Sequence, residues 1–182
     1  VFRGVQPPID VVLEEIKPGF ILDEEDFSLT AFQVRLRGAD SLGYLFEEKS
    51  RRPFLPEKAA ALEIPPGPWR ADLVRGQAIT LPDGRTIEPD QVLGEVRPGT
   101  RFAHVGDTGQ TDNLLDVVRD VDALVIEATY LDEEVEMANQ FGHLTAQRAA
   151  KLANEANIKH LILTHLSRRY RERDVLKEAR SG

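Results

Sequence analysis

Three ionisable side chains, Asp107, Glu127 and His165, each come close after an apolar run that predicts a β-strand. The carboxyl ends of neighbouring strands in layered α/β folds meet at one edge of the sheet, so we expect these side chains to face that edge together. Aspartate and histidine side chains can also be metal ligands. His143 lies just before an alanine-rich predicted helix, where a carboxylate such as Glu127 within hydrogen-bond reach would make it a general acid for a leaving oxygen. The set points to metal binding combined with proton transfer.

Each of these residues, taken alone, also has a structural interpretation. Asp107 could cap a helix, and Glu127 could form an ion pair at the edge of the sheet. His165 could be a capping or half-buried histidine, and His143 could be a loop residue ahead of a helix whose N-cap is Thr145. The chemical interpretation therefore depends on the residues being found together.

The elements that must position these residues follow a regular order from residue 102 onward. Apolar periodicity predicts three strands alternating with three helices, a β-α-β-α-β-α order. The predicted strands are 102–105, 123–128 and 160–164, and the predicted helices are 113–121, 144–156 and 172–179.

The first half of the chain is less regular. Two runs rich in β-formers, 27–35 and 42–46, predict a pair of strands. Residues 47–76 are rich in proline and basic residues and contain one short helical pattern at 57–62, which predicts a projecting segment. Asp83-Gly84 between two short β-like runs predicts a hairpin, because this pair tolerates the positive φ of a tight turn.

Composition excludes several classes of protein. The 182 residues include 31 acidic and 23 basic side chains, a formal net charge of −8, and no cysteine. The lack of cysteine excludes disulfides, thiolate metal sites and thiol nucleophiles, and it favours a reducing, cytoplasmic compartment. No apolar run approaches the roughly 20 residues that span a bilayer, so we expect no membrane insertion. Overall acidity argues against nonspecific polyanion binding, although local basic clusters can override the net sign.

Four segments of the C-terminal half, taken together, resemble ribonuclease Z, the tRNA 3′-processing endonuclease family of the metallo-β-lactamase fold. They are Gly106-Asp107-Thr108, Ile126-Glu127-Ala128-Thr129-Tyr130, Gly142-His143-Leu144-Thr145-Ala146 and Leu163-Thr164-His165-Leu166-Ser167-Arg168-Arg169-Tyr170. The resemblance extends upstream through Gly43-Tyr44-Leu45-Phe46-Glu47-Glu48-Lys49, Ala59-Ala60-Ala61-Leu62-Glu63-Ile64-Pro65-Pro66-Gly67-Pro68 and Leu73-Val74-Arg75-Gly76.

The resemblance implies a fold and a set of roles. The fold would be an α/β metallo-β-lactamase-like αββα sandwich, of which residues 1–182 form the C-terminal part. Asp107 and His165 would be ligands of a site for two zinc ions, and His143, oriented by Glu127, would protonate the leaving 3′-oxygen. The substrate phosphate would contact a group of three residues, Ser167, Arg169 and Tyr170.

The resemblance also implies partners. Residues 47–76 would form a protruding arm that binds precursor tRNA, and the protein would be a homodimer in which the arm of one subunit serves the other. The arm residues singled out are Lys49, Arg51, Arg52, Gly67, Pro68, Arg70 and Arg75. Residues 47–75 carry six basic and five acidic side chains, and residues 168–180 carry six basic and three acidic ones, so phosphate contacts would concentrate there.

The chain also departs from the family pattern. A two-zinc site needs about six or seven protein ligands, mostly histidine and aspartate. The sequence has four histidines, at positions 104, 143, 160 and 165, and it lacks the family's His-x-His-x-Asp-His motif. Ile126 and Arg37 stand where relatives often carry histidine. We therefore expect a C-terminal portion, starting at Val1 without methionine, that is inactive by itself.

Two other functions stay open from the sequence. One is a noncatalytic remnant that binds tRNA without cutting it, against which the retention of Asp107, His143 and His165 weighs. The other is a hydrolase of small phosphodiesters with the same fold, against which the arm weighs, because a small substrate needs no remote binding surface.

Overall fold

The computed structural model describes residues 12–181, so Val1 lies outside the described part. The strands are β1 (Gly19–Asp23), β2 (Phe27–Leu36), β3 (Ala39–Glu48), β4 (Ile79–Thr80), β5 (Thr86–Ile87), β6 (Arg101–His104), β7 (Ala123–Glu127) and β8 (His160–Thr164). The helices are α1 (Pro56–Ala61), α2 (Trp69–Val74), α3 (Val135–Phe141), α4 (Ala146–Glu155) and α5 (Glu172–Ser181). Short 3₁₀ turns occupy Pro89–Gln91 and Asp132–Glu134. The chain divides into two compact units.

The first unit, described over residues 12–24, 28–46 and 101–181, contains a six-stranded mixed sheet. Its strand order is β1-β2-β3-β6-β7-β8, in which β1 pairs with β2 antiparallel. Strands β6, β7 and β8 are parallel and in register, with Ala123 opposite both Phe102 and His160. This parallel block brings three strand ends to one edge, as the sequence predicted.

One face of this sheet is covered by helix α4 and the segment before β7. The buried cluster joins strand residues such as Ala103, Leu124 and Ile126 to Ala149 and Leu152 of α4. Thr145 is the N-cap of α4, because its Oγ1 accepts a hydrogen bond from the Arg148 backbone N–H at 3.2 Å. The predicted cap is therefore confirmed.

Alternate residues of β6 and β8 have side chains on the other face of the sheet, where they are more exposed. His104, His160 and Ile162 are exposed, although Ile162 sits in the middle of an apolar strand. Side chains alternate between the two faces of a strand, so burial of one set and exposure of the other indicates that helices pack on a single face.

The second unit, residues 25–27 and 47–100, has a hydrophobic core of its own. Helices α1 and α2 contribute Ala59 and Leu73, and the β4–β5 hairpin contributes Ile79 and Ile87. Gly84 lies in the hairpin turn with φ +86°, which confirms the predicted turn. The segment predicted as an arm, 47–76, shares this core with residues 77–100.

The predicted helix over 113–121 is wrong. Its apolar spacing is correct, because Leu114, Val118 and Val121 are all buried in the core of the first unit. The backbone instead forms successive turns, since the N–H of Asp120 donates to the carbonyl of Ala156 and Asp120 itself has φ +57°. Tertiary hydrogen bonding there replaces the helical pattern.

Three elements were not predicted: β1, α2 and α3. Each has five to seven residues and buries few of its side chains. In α3, Ala138 is buried whereas Phe141 is exposed, so no clear apolar stripe marks the helix in the sequence. Within residues 12–181, the longest helices have ten residues and none is long and apolar enough to cross a membrane.

Candidate metal and proton-transfer site

Asp107, His143 and His165 lie together at the carboxyl edge of the parallel strands. One possible ligand atom from each residue lies within 4.8 Å of the ligand atoms of the other two. His165 Nε2 is 3.7 Å from Asp107 Oδ2, and the rings of the two histidines stack with centroids 5.2 Å apart. Asp107 and His165 therefore lie at one edge, as the strand-end argument predicted, and His143 joins them from the loop after α3.

Glu127 is the buried centre of this site. It ends β7, is fully buried, and has four hydrogen-bond partners around its two carboxylate oxygens. Oε1 accepts from the Thr108 N–H at 2.7 Å and lies 2.8 Å from His143 Nδ1. Oε2 accepts from the Thr129 hydroxyl at 2.6 Å and from the Leu144 N–H at 3.2 Å. Four donors fill the four lone-pair positions of a carboxylate, so the charge is hydrogen-bonded on every side.

The loop that carries His143 is fixed at both ends. Gly142 ends α3 with φ +75°, a conformation that favours glycine. The carbonyl of Leu144 accepts from the Tyr130 N–H at 3.1 Å, and the Ala146 N–H donates to the Tyr130 carbonyl at 2.9 Å. His143 is thus held between a helix end and the strand extension after Glu127, with 19% of its side chain exposed.

Thr129 links Glu127 to the third loop. Its Oγ1 lies 2.7 Å from His165 Nδ1 and 3.1 Å from the His165 carbonyl oxygen. His165 has φ +53°, a left-handed conformation that costs a residue with a Cβ about 1–2 kcal/mol. The contact of Thr129 with the His165 ring connects this residue to the hydrogen bonds around Glu127.

The residues fit a metal ion such as zinc. Ligands of a tetrahedral zinc ion, each about 2.0–2.1 Å from the metal, are about 3.3 Å apart, close to the 3.7 Å between Asp107 Oδ2 and His165 Nε2. Asp107 and His165 are partly exposed, so an ion can reach them. Histidine and aspartate are ligands that zinc accepts. His143 is close enough to be a third ligand, a role the sequence did not predict.

The residues predicted to bind phosphate lie in the turn after β8 and differ in accessibility. The Arg169 guanidinium pairs with Glu134 at 3.1 Å and contacts the Met137 sulfur at 3.0 Å. Tyr170 packs against a small apolar cluster, and its hydroxyl is buried without a hydrogen-bond partner among the described residues. Ser167 Oγ accepts from the Arg169 N–H at 3.3 Å. All three residues lie in the short segment between β8 and α5.

Several residues of the predicted arm make contacts inside the second unit. Arg52 bonds to Asp90 and to the carbonyl of Gly94, and Arg70 donates to the carbonyl of Ile64 at 2.8 Å while lying over the Phe54 ring.

The remaining residues of the predicted arm make local contacts or are exposed. Arg75 pairs with Asp72, Lys49 donates its N–H to Asp26, and the Arg51 side chain is exposed. Gly67 and Pro68 precede α2, and a Cβ on Gly67 would meet the Trp69 indole nitrogen at 2.5 Å. The Trp69 side chain packs on the core of this unit.

Sequence reasoning gave no role to Thr108, Thr129 or Leu144. Thr129 follows Glu127 by two residues, and residues two apart on an extended chain share a face, which is a signal that could have identified it. The Thr108 and Leu144 backbone groups carry no such signal, because they meet Glu127 only through the tertiary fold.

Comparison with protein families decides the classification of this chain. Residues 68–166, more than half of the sequence, match the family model described as a beta-lactamase superfamily domain. The chain belongs to the beta-lactamase superfamily. This membership, together with the mixed sheet, confirms the predicted fold class.

Curated relatives within this superfamily are similar over nearly the whole chain. A Ribonuclease Z of Bradyrhizobium diazoefficiens is 42% identical over 172 residues, which cover 94% of this chain and 57% of the relative. A Ribonuclease Z of Bradyrhizobium sp. strain ORS 278 is 45% identical over 174 residues, covering 96% of this chain and 58% of the relative. The resemblance stated from the sequence segments is therefore confirmed. The chain spans a little over half the length of these relatives.

Solved structures show the same superfamily fold. The metallo-beta-lactamase fold protein YhfI of Bacillus subtilis matches with a TM-score of 0.55 and 15% identity, over 94% of this chain and 48% of that protein. The short form of human tRNase Z matches with a TM-score of 0.50 and 23% identity, over 83% of this chain and 40% of that protein.

Proposed function

We propose that this chain supplies part of the metal site, the proton donor and the tRNA-binding unit of an endoribonuclease that removes 3′ extensions from precursor tRNA by phosphodiester hydrolysis. The observation that carries the proposal is the convergence of Asp107, His143 and His165 around the fully buried Glu127. The similarity to relatives named Ribonuclease Z, at 42–45% identity over 94–96% of the chain, supports the substrate.

In this proposal the histidine next to Glu127 moves the proton. Glu127 accepts the Nδ1–H of His143, so the second proton of a protonated His143 sits at Nε2, on the side away from Glu127. As water oxygen bonds to phosphorus and gives up one proton to solvent, the bond from phosphorus to the 3′-oxygen breaks, and that oxygen takes the Nε2 proton. The products are a 3′-hydroxyl on the tRNA and a 5′-phosphate on the released extension.

Asp107 and His165 hold metal in this proposal. Two zinc ions, when bound, would activate water and stabilise negative charge on the phosphate. Asp107 contributes carboxylate oxygens and His165 contributes Nε2. Because a two-zinc site needs about six or seven ligands, these residues need further ligands to complete it. We therefore expect the 182-residue chain alone to leave precursor tRNA uncut.

A chimaera tests the proposed function. This chain would replace the matched 57% of the Bradyrhizobium diazoefficiens relative, and cleavage of a 3′-extended precursor tRNA would be measured with added zinc. The intact relative is the control for substrate quality, and circular dichroism reports whether the chimaera folds. We expect cleavage at the 3′ end of the tRNA. A folded chimaera that binds the precursor without cutting it would overturn the proposal in favour of the noncatalytic remnant.

Replacement of His143 in the chimaera separates its two possible roles. His143→Gln removes the proton donor, and we expect cleavage to fall about 10²–10⁴-fold while zinc content is unchanged. Loss of zinc together with activity would instead make His143 a metal ligand. His160→Gln is the matched control, because His160 is exposed at the opposite end of β8.

Charge reversal on the second unit tests the tRNA-binding arm. Arg51 and Lys58 are exposed, so Arg51→Glu with Lys58→Glu changes charge without opening the core. We expect weaker cleavage of precursor tRNA and unchanged hydrolysis of bis-p-nitrophenyl phosphate, a small diester. Equal loss on both substrates would contradict a tRNA-specific arm, whereas unchanged tRNA cleavage would favour the small-diester hydrolase.

The proposal includes a homodimer and a cytoplasmic location. The absence of cysteine fits a reducing compartment. The dimer is tested by the native mass of the chimaera.

A further inference from the structure

We propose that Thr129 is a positioning residue that fixes the proton of His165 on Nδ1 and so leaves Nε2 free to bind metal. The inference deepens the proposed function, because it rests on His165 being a metal ligand there. It depends on which group donates in each hydrogen bond around Glu127 and Thr129.

The direction of the hydrogen bonds starts from two backbone groups. The N–H groups of Thr108 and Leu144 can only donate, and they point at Oε1 and Oε2 of Glu127, respectively. Each carboxyl oxygen of Glu127 thus faces one fixed donor, an arrangement that suits a carboxylate, which has no hydrogen to give and only accepts. The Thr129 hydroxyl, 2.6 Å from Oε2, must therefore donate its single hydrogen to Glu127.

This assignment fixes the tautomer of His165. Having given its hydrogen to Glu127, Thr129 Oγ1 can only accept from His165 Nδ1 at 2.7 Å. The His165 carbonyl, 3.1 Å from the same hydroxyl, is the weaker competitor because a carboxylate is the stronger acceptor. Nδ1 of His165 therefore carries the hydrogen, and Nε2, 3.7 Å from Asp107 Oδ2, keeps its lone pair.

The same carboxylate also orients the other histidine. Oε1 of Glu127 accepts from His143 Nδ1 at 2.8 Å, so His143 likewise keeps a hydrogen on Nδ1. The Glu127 carboxylate thus fixes the tautomer of both rings, acting directly on His143 and through the Thr129 hydroxyl on His165. Partners of this kind around metal-binding histidines typically change metal affinity by 10–100-fold.

Nitrogen NMR of the metal-free 182-residue chain tests the inference. At about pH 8, above the usual histidine pKa of about 6.5, neutral imidazoles reveal which nitrogen carries the hydrogen. We expect the Nδ1–H tautomer for both His143 and His165. Finding His165 in the Nε2–H form in the unmodified chain would overturn the inference without any variant being needed.

Two variants of Thr129 distinguish positioning from packing. Thr129→Val keeps the side-chain shape but cannot accept from Nδ1, so His165 should lose its fixed tautomer while His143 retains it. Zinc affinity should then fall about 10–100-fold. Thr129→Ser keeps the hydroxyl, so it should keep both the Nδ1–H tautomer of His165 and the zinc affinity of the unmodified chain. An unchanged His165 spectrum in a folded Thr129→Val chain would overturn the inference.

These readouts are independent of substrate. An inactive chimaera would reject the proposed function and leave the tautomer measurement standing, whereas a wrong tautomer would reject the role of Thr129 and leave cleavage possible.

Discussion

At the scale of single residues, the main feature is one buried carboxylate that joins three loops. Glu127 contacts the loop of Asp107 through the Thr108 N–H, the loop of His143 directly, and the loop of His165 through Thr129. A buried charge is costly unless it is fully hydrogen-bonded, and here all four positions are filled. The same contacts that satisfy the charge therefore shape the site.

Glu127→Gln should destabilise the first unit by about 2–3 kcal/mol, because the new amide NH₂ would face hydrogen-bond donors in a buried position. Urea unfolding of the variant and the unmodified chain measures the difference. Glu155→Gln is the matched control, since the exposed Glu155 pairs with Lys151 on the surface of α4 and its replacement should change stability by less than about 0.5 kcal/mol. Equal stability of the Glu127 variant would show that the network contributes little.

The sequence predicts the ionisable side chains of this site better than the groups that hydrogen-bond to them. Asp107, Glu127 and His165 follow apolar runs, so a strand-end argument places them together. The contact of Thr108 with Glu127 joins residues 19 apart through a backbone N–H, which every residue type except proline has. Residue type therefore gives no signal for it, and the contact appears only once the sheet is assembled.

At the scale of elements, the parallel strands are held at their amino ends as well as at the carboxyl edge that carries the candidate site. Asp122, just before β7, accepts from the Arg101 N–H at 2.7 Å with one oxygen and pairs with Lys159 through the other. The Lys159 ammonium and the Arg101 N–H hold the pKa of the Asp122 carboxyl below its ordinary value of 3.8. This single side chain connects the starts of β6, β7 and β8.

Asp122→Asn should cost about 1 kcal/mol at neutral pH, because the amide loses the charge that Lys159 and the Arg101 N–H stabilise. A lowered folded-state pKa means that this stabilisation is full above pH about 3.9 and disappears as pH falls through the folded-state value. The difference in free energy of unfolding between the unmodified chain and Asp122→Asn should therefore become smaller as the pH falls. Urea unfolding at several values from about pH 7 to about pH 2.5 measures this difference. A difference that stays constant with pH would contradict a stabilising role of the charged Asp122 carboxylate.

Elements were predictable where periodicity and backbone hydrogen bonding agree. Helix α4 has an apolar face and a threonine cap, and both are visible in the sequence. Over 113–121 the apolar spacing is helical, but Asp120 bonds to Ala156 and turns with positive φ. Periodicity reports which side chains are buried, whereas the path of the backbone between them depends on distant partners.

At the scale of the whole molecule, the chain combines a sheet unit that carries the candidate site with a second unit that has its own core. The sequence predicted a basic segment at 47–76, yet Ala59 and Leu73 of that segment pack with Ile79 and Ile87 beyond it. Deleting 47–76 would thus expose apolar side chains of residues 77–100. Surface charge reversal is for this reason the better test of tRNA binding.

The proposed function requires metal binding at the three converging loops, which carry Asp107, His143 and His165. Calorimetric titration of the metal-free 182-residue chain with zinc, compared with Asp107→Asn, tests this claim, and Asp116→Asn at an exposed aspartate outside the cluster is the control. We predict saturable binding that weakens at least about tenfold in Asp107→Asn and is unchanged in Asp116→Asn, because an amide is a poor zinc ligand. Equal zinc binding by the unmodified chain and the Asp107→Asn variant would contradict the account.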